Sequence, residues 1–383
     1  MQFQFATANK IIFQSGAAAS IPEIAAGLGK RPCIVTGASP ERTQWLIDAM
    51  SETGTPLVIR ISGEPDTDTI ASHIQSIRDA DCDVVIAIGG GSVMDAGKIL
   101  AAMATNRKDL FDYLEVVGKG EPLAAKPLPL ITVPTTSGTG SEVTANAVIL
   151  AKPYGVKVSL RSTDMIADVA VVDPELTLSM PAHVTAGTGM DALTQLMEAY
   201  VSNKANPMTE GLCREGMMRA ATSLPVACEE GDEIVAREDM ALASLFSGIA
   251  LANAKLGAVH GFAAPLGGEF KAPHGEICAA LLPHVMRANI QALRERAPES
   301  MALFRYNEIA VMLTGDVSAT PEDGCDWVES LCEELSIAGL SKIGIVEQDF
   351  EAMAEKAAQA SSMQGNPIEL TRTELIQILK NAL

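Results

Sequence analysis

The chain has 383 residues, 48% of them hydrophobic and 20% charged, which is enough apolar content for a sizeable core and rules out a disordered segment. Its 28 basic and 48 acidic residues leave a net charge of −20, which argues against a phosphate-backbone or anionic-membrane surface and hence against nucleic acid as a partner. No basic stretch leads into an apolar core near Met1, and no charge-free apolar run of about 18 residues occurs, so a cytoplasmic protein with no membrane partner is expected.

From Lys30 to about Asp173, short β-rich apolar runs alternate with helical stretches: Pro32–Thr36, Leu57–Ile61, Asp83–Ile88 and Pro129–Val133. This pattern predicts a parallel α/β sheet, and the runs near 32–36 and 83–88 lack in/out alternation, as central strands covered on both faces do. The third run leads straight into Gly89, Gly90, Gly91 and Ser92, with Asp95 and Lys98 on the first turns of the helix that follows. Strand, glycine turn and helix form an anion-binding context, because glycines let the backbone approach a pyrophosphate and the helix start offers N–H donors. A tight turn without ligand is the alternative reading. The fourth run leads into Pro134–Glu142, whose hydroxyl residues interleave with two glycines. A rim of small donors at a strand's carboxyl end is where open α/β sheets bind ligands.

Pro174 and Pro181 bracket a boundary, beyond which Ala-, Met- and Leu-rich periodicity predicts an all-helical second half. In Thr188–Tyr200 the predicted buried stripe includes Met190, Leu193, Met197 and Tyr200, while Asp191 and Gln195, four residues apart, share a face. His260 and His274 follow in glycine-rich surroundings, where Pro265, Gly267, Gly268 and Pro273 are expected to place them on separate elements. One carboxylate and two imidazoles can form a divalent-metal shell with a carboxamide oxygen as a weak fourth ligand; hydrogen-bonded core histidines are the alternative. The seven cysteines include no C-x-x-C pair, and reduced, mostly buried thiols are expected.

Gly89–Ser92 with Asp95 and Lys98, Pro134–Glu142, Val172–Leu176, Thr188–Leu193 and Leu281–Val285 together resemble the iron-containing (group III) alcohol dehydrogenase family over nearly the whole chain. The resemblance implies a Rossmann-like α/β dinucleotide-binding domain with a parallel sheet, residues 1–178, and an all-α metal and substrate domain, residues 179–383. It places the cofactor's pyrophosphate on Gly89, Gly90, Gly91, Ser92, Asp95 and Lys98, and its nicotinamide side on Thr135, Thr136, Thr139 and Ser141. The family's metal ligands fall on Asp191, Gln195, His260 and His274, where the usual second ligand is histidine, and a further family histidine, often assigned to proton transfer, falls on Ala264. A glutamine oxygen is a poorer donor than imidazole, so a weaker Fe²⁺ or Zn²⁺ site is expected.

The family's aspartate after the first strand, which accepts hydrogen bonds from an NAD ribose, is replaced by Gly37. With Ser39 and Arg42 close by, a phosphate-bearing ribose is favoured, and the expected cofactor is NADP(H) or NAD(H). The implied activity is that of an NAD(P)-dependent alcohol dehydrogenase or aldehyde reductase. Hydride is expected to pass between a small alcohol or aldehyde and the nicotinamide, with His260 and His274 as the catalytic imidazoles, in a homo-oligomer expected to be a dimer. A metal-independent reductase of the maleylacetate type and a nucleotide-binding module without catalysis are the two alternatives.

Overall fold

The computed structural model describes residues 2–52, 54–270 and 272–383. The chain forms two compact units, one of residues 6–136 and 140–177, the other of residues 2–5, 137–139 and 178–383.

The first unit contains strands β1 (Lys10–Phe13), β2 (Pro32–Gly37), β3 (Leu57–Ile61), β4 (Val84–Gly89), β5 (Leu130–Pro134), β6 (Asn146–Ala151), β7 (Val156–Arg161) and β8 (Val169–Val172). Six of them make one parallel sheet in the order β1-β8-β5-β4-β2-β3. Every residue of β4 and β5 is buried, which is why the sequence shows unbroken apolar runs there instead of alternation. Asp173, just past β8, ties the start of the chain to the sheet. Its carboxylate accepts the N–H groups of Gly16, Ala18 and Glu175 at 3.0, 2.9 and 3.1 Å.

Two features depart from the expected all-parallel pattern over 30–173. Strand β1 lies before that stretch, and β6 and β7 form a separate antiparallel hairpin. The hairpin turns at Gly155, whose φ of 63° lies in the left-handed region open to glycine.

The second unit is helical, as expected. Its Ala182–Val201 helix is buried on every face from Gly189 to Val201, so Met190, Leu193, Met197 and Tyr200 are covered as predicted and so are Asp191 and Gln195. A helix buried all round sits at a core, not on a surface. Pro265, Gly267 and Gly268 do not break the chain but lie inside one helix, Ala258–Phe270; the break comes at Pro273, which precedes the His274–Arg296 helix. His260 and His274 thus occupy separate elements, as expected. Among the described residues no single helix is long and apolar enough to cross a membrane.

Candidate metal centre and cofactor loops

Strands β4 and β5 pair with Gly89 opposite Pro134, so the loops that follow them leave the carboxyl end of the sheet side by side. Gly90 caps the Gly91–Thr105 helix with an extended backbone and no side-chain cap. A Cβ at Gly89 would lie 2.6 Å from Cγ2 of Val93, whereas one at Gly90 would meet nothing nearer than Cγ2 of Thr136 at 3.4 Å. Packing therefore requires glycine at 89 but not at 90. The bare backbone of Gly90 leaves the space between the helix start and Thr136 open to a ligand, with Gly91, Ser92, Thr135 and Thr136 partly exposed around it.

Three residues expected to face the cofactor are instead turned into the protein. Lys98 is fully buried, and its ammonium donates to Oγ of Ser141, Oγ1 of Thr144 and the carbonyl of Asn146, each at 2.8 Å. Oδ1 of Asp95 accepts from Ser141 Oγ at 2.6 Å, and Oδ2 accepts the N–H of Val148 at 3.0 Å. An ammonium has three donors and all three are engaged. Lys98, Asp95 and Ser141 accordingly brace the Gly91–Thr105 helix against the segment from Ser141 to Val148. Thr139 lies in the short segment that packs with the helical unit.

Burial lowers the Lys98 ammonium to about 8 despite the nearby Asp95 and Glu142 carboxylates. Burial likewise pushes the Glu142 carboxyl up to about 7. At the end of β2, a Cβ on Gly37 would meet nothing within 4 Å, and Ser39 and Arg42 are exposed beyond it.

In the helical unit, Asp191, His260, His274 and Cys278 each offer a donor atom, and the four atoms lie within 4.8 Å of one another. Oδ1 of Asp191 stands 3.3 Å from Nε2 of His260 and 3.6 Å from Nε2 of His274. Sγ of Cys278 stands 3.9 and 3.7 Å from the same two nitrogens. His260 is oriented from behind: Oε2 of Glu198 accepts its Nδ1–H at 2.6 Å, and Oε1 accepts the N–H of Val259 at 2.7 Å, at the start of the histidine's own helix. That bond turns Nε2 toward Asp191, and in the neutral ring a metal requires it is Nε2 that carries the lone pair. Asp191 and His260 are buried, and the His274 side chain is 38% exposed.

These charges hold one another. Burial pushes Asp191 up, but the imidazoles of His274 and His260 outweigh it and bring the carboxyl below its ordinary range. Burial works against a charged His260, yet Cys278, Asp191 and Glu198 raise it well above the usual imidazole value. The Cys278 thiol, which burial alone would push up, is drawn down by His274 and His260.

The donor set fits a divalent metal. Oδ1 of Asp191 is buried and makes no hydrogen bond, although two imidazole nitrogens approach it at 3.3 and 3.6 Å, as ligands gathered around an ion would. Asp191, His260 and His274 converge as the sequence pattern implied, but Gln195 does not join them. Its Nε2 donates to Asp191 Oδ2 at 3.1 Å and its Oε1 accepts from Ser247 Oγ at 2.9 Å. A carboxylate can only accept, which fixes the amide with nitrogen toward Asp191 and turns the oxygen, the expected weak ligand, to Ser247.

Sequence reasoning missed Cys278 and Glu198. Both carry a signal: Cys278 follows His274 by four residues on one helix, and Asp191, Gln195 and Glu198 recur at helical spacing in an otherwise apolar segment. Ala264, in the position of the family's further histidine, is exposed one turn after His260.

Comparison with known proteins identifies the family. Residues 8–174 match the family described as iron-containing alcohol dehydrogenase, and residues 185–383 match the Fe-containing alcohol dehydrogenase family, C-terminal. The chain is 36% identical to the 1,3-propanediol dehydrogenase of Citrobacter freundii over 336 residues, 87% of this chain and 85% of that one. It is 33% identical to the NAD-dependent methanol dehydrogenase of Bacillus methanolicus over 365 residues, covering 92% of each. A solved 1,3-propanediol oxidoreductase superposes over 100% of both chains with a TM-score of 0.92 at 32% identity.

Proposed function

The chain belongs to the iron-containing alcohol dehydrogenase family and is a nicotinamide-dependent oxidoreductase, and we propose that it interconverts a small alcohol and its aldehyde at Asp191, His260 and His274. The observation that carries this reading is the buried, unpartnered Oδ1 of Asp191, on which two imidazole nitrogens converge.

In the oxidative direction the carbinol carbon gives a hydride to the nicotinamide and the hydroxyl gives up a proton, leaving the aldehyde and the reduced cofactor. Asp191, His260 and His274 would hold a divalent ion, which when bound would supply the Lewis acidity that lowers the pKa of the substrate hydroxyl. Glu198 keeps His260 in the tautomer whose Nε2 lone pair faces the site. Burial of Asp191 and His260 strengthens the charge interactions between them. With alanine at 264, the released proton passes to water at the exposed edge of His274 instead of to an imidazole one turn after His260.

Gly89, Gly90, Gly91, Ser92, Thr135, Thr136 and Thr139 are assigned to the dinucleotide, with Asp95, Lys98 and Ser141 holding the loops in place. The missing carboxylate at Gly37 and the exposed Ser39 and Arg42 support acceptance of a 2′-phosphate, so NADPH serves at least as well as NADH. The test is turnover of short aldehydes with NADPH and with NADH, alongside metal analysis of the purified chain. Reduction of an aldehyde by a metal-bearing protein is the expected result. Quenching of NADPH fluorescence with no oxidation of the cofactor would instead identify a nucleotide-binding module.

A further inference from the structure

We infer that Cys278 takes the place of Gln195 as the fourth protein donor of the metal site, giving a carboxylate, two imidazoles and a thiolate that favour zinc. The inference rests on the metal-site reading above and adds to it which side chain completes the set and which ion it selects.

The four donor atoms lie within 4.8 Å of one another, and four of their six separations can be set against those of a metal shell. With zinc bond lengths of about 2.0–2.1 Å to oxygen and nitrogen and about 2.3 Å to sulfur, a tetrahedral centre has oxygen–nitrogen edges of about 3.3 Å and nitrogen–sulfur edges of about 3.6 Å. The observed edges are 3.3 and 3.6 Å from Asp191 Oδ1 to the two imidazole nitrogens, and 3.9 and 3.7 Å from Cys278 Sγ to the same nitrogens. These four of the six edges lie within about 0.3 Å of the tetrahedral values, and the remaining two are no longer than 4.8 Å.

Gln195 presents its nitrogen, which cannot ligate, to Asp191, while its oxygen accepts from Ser247. Cys278 is fully buried, and the hydrogen-bond contacts of its sulfur are the two imidazole nitrogens. Two glycines bring it there. A Cβ on Gly275 would lie 2.0 Å from the carbonyl oxygen of Gly187, so the start of the His274–Arg296 helix rests directly on the backbone of the Asp191 helix. His274 and Cys278, four residues apart, then point from one face into the space beside Asp191.

A cysteine binds as thiolate and gives its proton to solvent when the ion enters. Thiolate favours borderline-soft zinc over the harder oxygen-seeking ions, and a glutamine oxygen would not. Four protein donors leave the substrate oxygen to enter by expansion to five-coordination, as zinc enzymes allow.

The test uses full-length protein, stripped by a chelator and titrated with cobalt(II), whose visible bands report binding and whose near-ultraviolet thiolate-to-cobalt charge-transfer band reports sulfur. The wild type should show both. Gln195→Ala should keep the charge-transfer band. Cys278→Ser and Cys278→Ala should lose it and bind zinc more weakly, by more than the roughly 10–100-fold that loss of an outer partner costs. Cobalt bound by the wild type without the band would overturn the role of Cys278 and leave the metal site standing. A band that survives in both Cys278 variants would overturn it as well, and no cobalt binding at all would overturn the metal site with it.

Discussion

The Nδ1–H of His260 donates to Oε2 of Glu198 at 2.6 Å, deep inside the helical unit and seven residues along the helix that carries Asp191. One helix thus supplies both a candidate metal ligand and the carboxylate that orients a second one. The same carboxylate accepts the N–H of Val259, so it also holds the start of the helix on which His260 sits. Glu198→Gln keeps the volume but removes the charge. It should weaken metal binding by about 10–100-fold with little loss of helicity, as read by competition with a chromophoric chelator and by circular dichroism. Unchanged metal affinity would show that His260 needs no such partner.

The glycine turn separates folding from binding. Because a Cβ at Gly90 meets only Thr136 Cγ2 at 3.4 Å, Gly90→Val should fold and yet fill the space the pyrophosphate needs. Dinucleotide titration followed by protein fluorescence should show loss of binding with an unchanged melting temperature. Gly89→Val is the contrasting variant, since its side chain would collide with Val93 and lower stability. Wild-type affinity in Gly90→Val would remove this loop from the cofactor site.

Cofactor preference is expected to turn on Gly37. Open space around its Cβ position means that Gly37→Asp can be accommodated without repacking, while the new carboxylate repels a 2′-phosphate and accepts from a ribose hydroxyl. The ratio of kcat/KM for NADPH to that for NADH should fall by roughly tenfold or more, the equivalent of about 1.4 kcal/mol. A wild type already strongly selective for NADH would contradict this assignment.

Glu142 gives a pH dependence unrelated to the metal. Its buried carboxyl ionises near about 7 in the folded chain against an ordinary 4.5, so between those values the folded state holds a proton the unfolded chain has released. Stability from this group is therefore present at the acidic end and is lost as pH rises toward the folded value. Glu142→Gln abolishes that slope, and urea unfolding at about pH 5 and about pH 8 should show the variant gaining on the wild type, on the order of 1–3 kcal/mol, at the higher pH. Parallel pH profiles for the two proteins would rule this out.

What the sequence made legible follows from the range of the forces involved. The central strands and the glycine turn were readable because burial on both faces and a strand-to-helix reversal leave local marks at 83–91. The convergence of Asp191, His260 and His274 was readable through family resemblance, since their types and spacing survive even where Gln195 and Ala264 depart from the pattern. The partners of these residues were not readable. Whether Lys98 faces a phosphate or Ser141, Thr144 and Asn146 depends on where a segment more than forty residues away comes to lie, which no local pattern encodes. Gln195 was misjudged for the same reason, because Ser247, on another helix, claims its oxygen. Cys278 was passed over because a buried cysteine is ordinarily a small apolar side chain, and only the neighbourhood of His260 and His274 gives its sulfur another use.

The proposed function makes the chemistry of this dehydrogenase depend on a metal held by Asp191, His260 and His274. The most direct measurement is NAD(P)H-dependent aldehyde reduction by one preparation before chelation, after exhaustive chelation, and after return of one equivalent of Zn²⁺ or Fe²⁺. Activity that disappears with the metal and returns with it is the predicted result. Full activity in the metal-free protein would contradict the claim, leaving hydrogen bonds from His260 and His274 to polarise the substrate as in a metal-independent reductase.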